Sequence, residues 1–177
     1  MECKDILLVE DVPDVLVWLS RLVQEHFPGS HLRTASTRAS ALKQLEEGAP
    51  CLGLIDLGLP DGSGIDIIRA IKRQRADSVC VVTTIFEDSD HLFSALHAGA
   101  DGYLLKDEAE SEFVYHLQGV LAGRPPLSAS IARKILGVFR PASDDAVKLA
   151  PREEQVLTLI ARGYSVRKVA EMLAISQ

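Results

Sequence analysis

The side chains best suited to chemistry each stand at the end of a short apolar run. They are Glu10, Asp11, Asp56, Thr84 and Lys106. In an open sheet of parallel strands the carboxyl ends lie at one edge, and ligands bind there. If the apolar runs are such strands, these five side chains converge on one site.

Such a site would place three carboxylates beside a hydroxyl and an ammonium. Carboxylates at close range repel one another, and a hard divalent cation such as Mg²⁺ offsets that repulsion. A carboxylate can also act as a nucleophile and form an aspartyl phosphate. The cation would neutralise charge on the phosphoryl group. Thr84 would donate a hydrogen bond to that group, and Lys106 would provide a positive charge.

The elements that would position these residues alternate regularly along the chain. Apolar runs cover 6–9, 31–35, 51–56, 79–84 and 102–105. Helical spacing predicts a helix from Pro13 to the Pro28-Gly29 pair, and further helices over 37–47, 64–75, 89–98 and 109–122. This alternation predicts an α/β fold with a doubly wound, five-stranded parallel sheet. The comparatively polar run 31–35 is expected at an edge.

Composition and charge change after residue 123. Residues 1–123 have a net charge of −10 and residues 124–177 a net charge of +4, which indicates two modules with different partners. A helix is predicted over 129–139, followed by a polar linker at 141–145. Two more helical patterns begin at Pro151 and are separated by Gly163.

The chain of 177 residues, 47% hydrophobic and 25% charged, has the composition of an ordinary globular protein. It has no apolar run near the ~20 residues that span a membrane and no signal-peptide pattern, so we expect a cytoplasmic protein without membrane contacts. Cys3, Cys51 and Cys80 lie far apart, and we interpret Cys51 and Cys80 as small buried hydrophobes. The histidines form no metal-ligand pattern.

Residues 1–122 resemble the receiver domain of a bacterial two-component response regulator. The resemblance is carried by four segments in the family's order and spacing: LLVED at 7–11, LIDLGLPDG at 54–62, VVTT at 81–84 and AGADGYLLK at 98–106. It implies the flavodoxin-like strand order for the sheet.

The resemblance also implies roles for individual residues. Asp56 would accept the phosphoryl group. Asp11, Asp56 and the backbone carbonyl of Gly58 would bind Mg²⁺ (or Mn²⁺), and Glu10 would act through a metal-bound water.

Lys106 would bind an oxygen of the phosphoryl group. Thr84 would also bind this group and would move with it. Thr84, rather than Thr83, lies 22 residues before Lys106, the spacing that the family keeps. Tyr103 would swing inward when Thr84 moves; the alternative is a static, half-buried tyrosine. Many receivers have a cis proline after this lysine, whereas Asp107 follows here, which leaves the geometry of that peptide open.

Residues 149–176 resemble the start of the LuxR-type DNA-binding domain found in regulators of the NarL/FixJ class. We therefore predict a receiver over 1–123, a linker with a helix over 124–148, and the N-terminal part of a helix-turn-helix domain over 149–177. The sequence contains no recognition helix after Ser176, so this chain should not read DNA specifically. Residues 140–177 are expected to be mobile or to pack on the receiver or a neighbouring chain.

Together these features predict a phosphorylation-dependent response regulator rather than an enzyme. A histidine kinase would phosphorylate Asp56, and the face formed by 89–98, 102–105 and 109–122 would repack. That face would then form a homodimer or release the C-terminal module. A complete helix-turn-helix would then bind promoter DNA. The alternative is a receiver that signals through protein contacts alone.

Two other classes fit the sequence less well. A phosphatase with an aspartyl nucleophile would need a second acid two residues after Asp56, where the chain has Gly58. A flavodoxin-like flavin protein would need a Gly/Ser/Thr phosphate loop after the first strand, and the acidic segment 10–14 would repel a phosphate.

Overall fold

The computed structural model describes residues 3–85, 89–121, 123–124 and 129–138. Its strands are β1 (Asp5–Val9), β2 (His31–Ala35), β3 (Leu52–Ile55), β4 (Gly58–Leu59), β5 (Gly62–Ser63), β6 (Val79–Thr84) and β7 (Gly102–Leu105). Its α-helices are α1 (Pro13–His26), α2 (Arg38–Gln44), α3 (Gly64–Gln74), α4 (Ser89–His97), α5 (Glu110–Leu121) and α6 (Ala129–Val138). A 3-10 turn at Leu45–Glu47 follows α2.

Five of these strands form one parallel sheet in the order β2-β1-β3-β6-β7. The predicted five-stranded fold is confirmed, and β2 lies at an edge as its polar sequence indicates. The order reverses direction beside β1, so β1 and β3 are central neighbours with Val9 opposite Ile55. The residues that follow these two strands therefore emerge side by side.

Helices cover both faces of the sheet because successive strand residues point to opposite sides. Ile6 and Leu8 pack with α1 and α5, through residues such as Leu19 and Phe113. The alternate residues of β1, Leu7 and Val9, point to the other face of the sheet. They pack in a second cluster with residues of α2, α3 and α4: Ala41, Ile67, Ile68, Leu92 and Ala95. Burial on both faces explains why the central strands are almost continuously apolar.

The structure also contains a short antiparallel hairpin of β4 and β5, which the sequence analysis did not predict. Gly58 pairs with Ser63 and Leu59 with Gly62. Strands of two residues have no detectable periodicity, so apolar patterning cannot predict them. The hairpin begins two residues after Asp56, and it therefore adjoins the predicted site.

Helix α6 confirms the predicted helix after residue 128. Ile131 is buried in the same cluster as Leu92 and Ala95 of α4, and Ile135 packs partly against it. Phe139, the linker at 141–145 and the predicted helix-turn-helix of 149–177 lie outside the described residues. Among the residues that the structure describes, none of the helices has the length and apolar character needed to cross a bilayer.

The interpretation of Cys51 as a simple buried hydrophobe is wrong, because Cys51 and Cys3 form a disulfide. Cys3 precedes β1 and Cys51 precedes β3, and the pairing of these neighbouring strands brings their Cα atoms to 5.8 Å. The separation of 48 residues in sequence hid this proximity. Cys80 is a free, buried thiol as expected, and burial raises its pKa to about 12.

Reduction of this disulfide should lower the thermal stability of the protein. The bond closes a loop across a sequence separation of 48 residues, and loops of this size contribute about 2–4 kcal/mol to the free energy of unfolding. We expect a dithiol reductant to lower the Tm by roughly 10 °C, measured by differential scanning calorimetry.

The control for this measurement is the Cys3→Ser variant, whose Tm should not respond to the reductant. Alkylation of the unreduced, unfolded protein should modify Cys80 alone. Modification of all three cysteines before reduction would contradict the disulfide.

Candidate functional site

The backbone of the site continues the hydrogen-bond ladder of the sheet past the strand ends. The Glu10 amide donates to the Ala35 carbonyl at 3.0 Å, and the Asp56 amide donates to the Val9 carbonyl at 2.9 Å. Both acids thus stand on the first residue after a central strand. Their position is fixed by the sheet, not by a free loop.

Three carboxylates meet at this edge. Glu10, Asp11 and Asp56 each offer one oxygen, and these oxygens all lie within 4.8 Å of one another. Glu10 and Asp56 are buried, and Asp11 is partly exposed. A compact set of hard oxygen donors with one side open to solvent fits Mg²⁺, which keeps several of its waters when bound.

Lys106 joins two of these acids. Its amide donates to the Thr84 carbonyl at 2.9 Å, which fixes it at the end of β7. The Lys106 Nζ lies 2.5 Å from Glu10 Oε2 and 3.1 Å from Asp56 Oδ1. The side chain of Lys106 is 9% exposed, so this ammonium partly neutralises the cluster in a region with little water.

The charged forms of both buried acids are disfavoured. Burial raises the pKa of Glu10, and the Asp56 charge adds to the rise, although Lys106 and the Val12 amide lower it in part. Burial likewise raises the pKa of Asp56, with a contribution from the Asp11 charge and a partial opposing effect of Lys106. Lys106 therefore does not fully compensate the negative charge of the three carboxylates, and a cation bound there would stabilise their charged forms.

The remaining predicted residues lie on the neighbouring strands and on the hairpin that follows Asp56. Thr84 ends β6 and Tyr103 lies in β7, and both side chains are fully buried. Tyr103 is therefore neither half-buried nor on the surface in this structure. Gly58 opens the hairpin two residues after Asp56. The described residues contain no cis peptide, so the Lys106–Asp107 bond is trans.

Gly64 is a site neighbour that the sequence prediction missed. It begins α3, and its amide donates to the Leu57 carbonyl at 3.1 Å. A Cβ at this position would lie 2.0 Å from the Asp56 carbonyl oxygen. Only glycine lets helix α3 start against the backbone of Asp56. The Ser63-Gly64 pair, a helix cap followed by a glycine, is the sequence signal that marks it.

Comparison with protein families shows which family contains this sequence. Residues 6–118 match the family model described as "Response regulator receiver domain". The match includes all five strands of the sheet, from the second residue of β1 onwards, and every residue predicted for the site.

Individual relatives match beyond this region. The transcriptional regulatory protein YhcZ of Bacillus subtilis (strain 168) is 37% identical over 147 residues, which cover 81% of this chain and 68% of YhcZ. The nitrate/nitrite response regulator protein NarL of Escherichia coli (strain K12) is 27% identical over 97% of this chain and 82% of NarL.

A solved structure agrees with the sequence comparison. The crystal structure of a LuxR-family two-component response regulator from Aurantimonas sp. SI85-9A1 is similar at a TM-score of 0.68 and 29% identity. The alignment covers 78% of this chain and 99% of that one.

Proposed function

This chain belongs to the response regulator receiver domain family, and on that premise we propose that it accepts a phosphoryl group on Asp56 from a histidine kinase and thereby controls transcription. One observation carries the proposal. Asp56 is buried directly after a central strand, within the carboxylate cluster and in contact with Lys106. A carboxylate with these neighbours is equipped to receive a phosphoryl group.

The transfer is a nucleophilic displacement at phosphorus. A carboxylate oxygen of Asp56 attacks the phosphorus of a phosphohistidine and forms an acyl phosphate, while the phosphorus–nitrogen bond breaks and the electron pair leaves with the imidazole. Lys106 then exchanges part of its contact with Glu10 for a phosphoryl oxygen. Thr84 donates its hydroxyl to another oxygen, and Tyr103 in the adjacent strand responds to the position of Thr84.

Mg²⁺ would be held by Asp11, Asp56 and the Gly58 carbonyl, with Glu10 acting through a bound water. When bound, the cation supplies positive charge that stabilises the transferring phosphoryl group. The close approach of the three carboxylates, and the raised pKa values of Glu10 and Asp56, support this assignment. Mn²⁺ has similar ligand preferences and is the expected substitute.

We propose that phosphorylation of the receiver controls transcription through the segment that follows it. We propose a receiver over 1–123, a linker over 124–148 and a helix-turn-helix segment over 149–177, with cytoplasmic location and homodimerisation on phosphorylation. The names of the relatives YhcZ and NarL, a transcriptional regulator and a response regulator, support control of promoters.

A direct labelling experiment tests the proposed function. The purified chain is incubated with a small acyl phosphate donor, such as acetyl phosphate, with Mg²⁺ or with excess chelator. We expect the intact mass to increase by one phosphoryl group only with Mg²⁺, and peptide mapping to place the group on Asp56. A label on a different residue, or none with Mg²⁺ present, would refute the proposal.

A further inference from the structure

The hairpin of β4 and β5 needs support from outside its own strands. It contributes only two residues to each strand, and isolated hairpins are marginal in water even when longer. Leu59 anchors one strand in the core. The hairpin also contains Gly58. Contacts that hold the hairpin in place therefore also hold the backbone close to Asp56.

Asp61, at the turn of this hairpin, binds the start of helix α2. Its Oδ1 accepts the Arg38 amide at 2.6 Å, and its Oδ2 accepts the Ala39 amide at 2.8 Å. Helix starts leave four amides without partners inside the helix. Here Thr37 and Ser40 satisfy each other's amides, and Asp61 satisfies the two that remain. These backbone hydrogen bonds lower the pKa of Asp61.

Arg38 makes a second connection between α2 and this segment. Its Nε donates to Asp66 Oδ2 in the first turn of α3 at 2.8 Å. Its aliphatic stem covers Gly62, where a Cβ would lie 2.6 Å from Arg38 Cδ. Gly62 also has a φ of +150°, which favours glycine. The first turn of α2 therefore contacts both the turn and the second strand of the hairpin.

We propose that Asp61 is a positioning residue for cation binding, which holds the Gly58 backbone in place by attaching the hairpin to helix α2. This inference rests on the proposed function, in which the Gly58 carbonyl is a ligand. Mg²⁺ demands near-ideal octahedral geometry, so a ligand on a loosened hairpin binds it less well. Residues that orient metal ligands without touching the metal typically change affinity 10–100-fold.

The test compares Asp61→Ala with Thr37→Ala in the intact chain. Both variants remove a cap from the same helix, but only the first releases the hairpin. Isothermal titration calorimetry with Mg²⁺ should give a Kd roughly tenfold higher for Asp61→Ala and an unchanged Kd for Thr37→Ala. Without Mg²⁺, hydrogen exchange at residues 58–63 should be faster in Asp61→Ala alone. Asp61→Asn, which keeps one acceptor oxygen, should have an intermediate Kd.

The outcomes separate this inference from the proposed function. If Asp61→Ala and Asp61→Asn bind Mg²⁺ as the wild type does, with hairpin amides equally protected, Asp61 has only a structural role and the inference is overturned. Equal weakening by Thr37→Ala would overturn it too, because the stability of α2 would then be the cause. If the wild type neither binds Mg²⁺ nor becomes labelled, the proposed function fails, and the inference fails with it.

Discussion

The Asp56→Asn variant should lose phosphoryl labelling completely and yet unfold at a higher temperature than the wild type. The amide of asparagine is neutral and a poor nucleophile, so no acyl phosphate forms at this position. Removal of a nucleophile in enzymes costs up to about 10⁶-fold in rate, and a drop of at least about a thousandfold is expected here. Labelling with a small acyl phosphate donor and intact-mass analysis measure the loss.

The gain in stability follows from the raised pKa of Asp56. Burial, with the Asp11 charge, makes the folded protein bind the Asp56 proton more tightly than the unfolded chain does. Stability from this group therefore falls as pH rises through the window between the ordinary carboxyl pKa and the raised one, and the full cost is present only above the raised pKa. Asparagine removes that cost, so the Tm should rise at pH 7 without Mg²⁺ and the difference should vanish in acid.

Asp77→Asn is the matched control with the opposite sign. Arg75 lowers the pKa of this exposed carboxyl, so its charge is favourable in the folded state. The control should leave labelling intact and should not raise the Tm. A lower Tm for Asp56→Asn at pH 7 would contradict the repulsion that we infer within the cluster.

The sheet and the placement of the acids could be predicted from sequence because both follow from local patterns. Apolar runs mark strands that are buried on both faces, and Glu10 and Asp56 directly follow two of them. Parallel pairing then aligns the strand ends, and the amide of each acid continues the ladder. The convergence therefore needed only the strand order, which the family resemblance implied.

Features that depend on register or on short segments could not be predicted in this way. The Cys3–Cys51 bond depends on the alignment of β1 with β3, in which Ile6 is opposite Leu52. The contacts of Asp61 depend on a hairpin with strands too short to show periodicity. The contact of Lys106 with Glu10 depends on side-chain conformation, which the hydrophobic pattern of a sequence does not predict.

Replacement of Lys106 by Met should impair both labelling and stability. Methionine keeps much of the volume and removes the ammonium that lies 2.5 Å from Glu10 and 3.1 Å from Asp56. Removing one partner of a buried ion pair typically costs about 3–5 kcal/mol, because the remaining charge is left uncompensated. Loss of a group that stabilises transferring charge costs about 10²–10³-fold in rate.

Mg²⁺ should restore part of the stability of this variant but little of its labelling. Lys106 lowers the pKa of both Glu10 and Asp56, so its removal raises both values further and makes the metal-free cluster less stable at neutral pH. A bound cation replaces the missing charge among the carboxylates. It does not replace the ammonium as a ligand of the phosphoryl oxygen, so thermal melts and labelling rates should separate the two roles.

Lys72→Met provides the matched control for this experiment. Lys72 is also largely buried, and its Nζ pairs with Asp101 at 2.7 Å and donates to the Ser78 carbonyl at 2.6 Å. Its loss should lower the Tm without changing the labelling rate or the response to Mg²⁺. If Lys72→Met impaired labelling as much as Lys106→Met, reduced stability alone would account for both, and the role of Lys106 in phosphoryl transfer would be refuted.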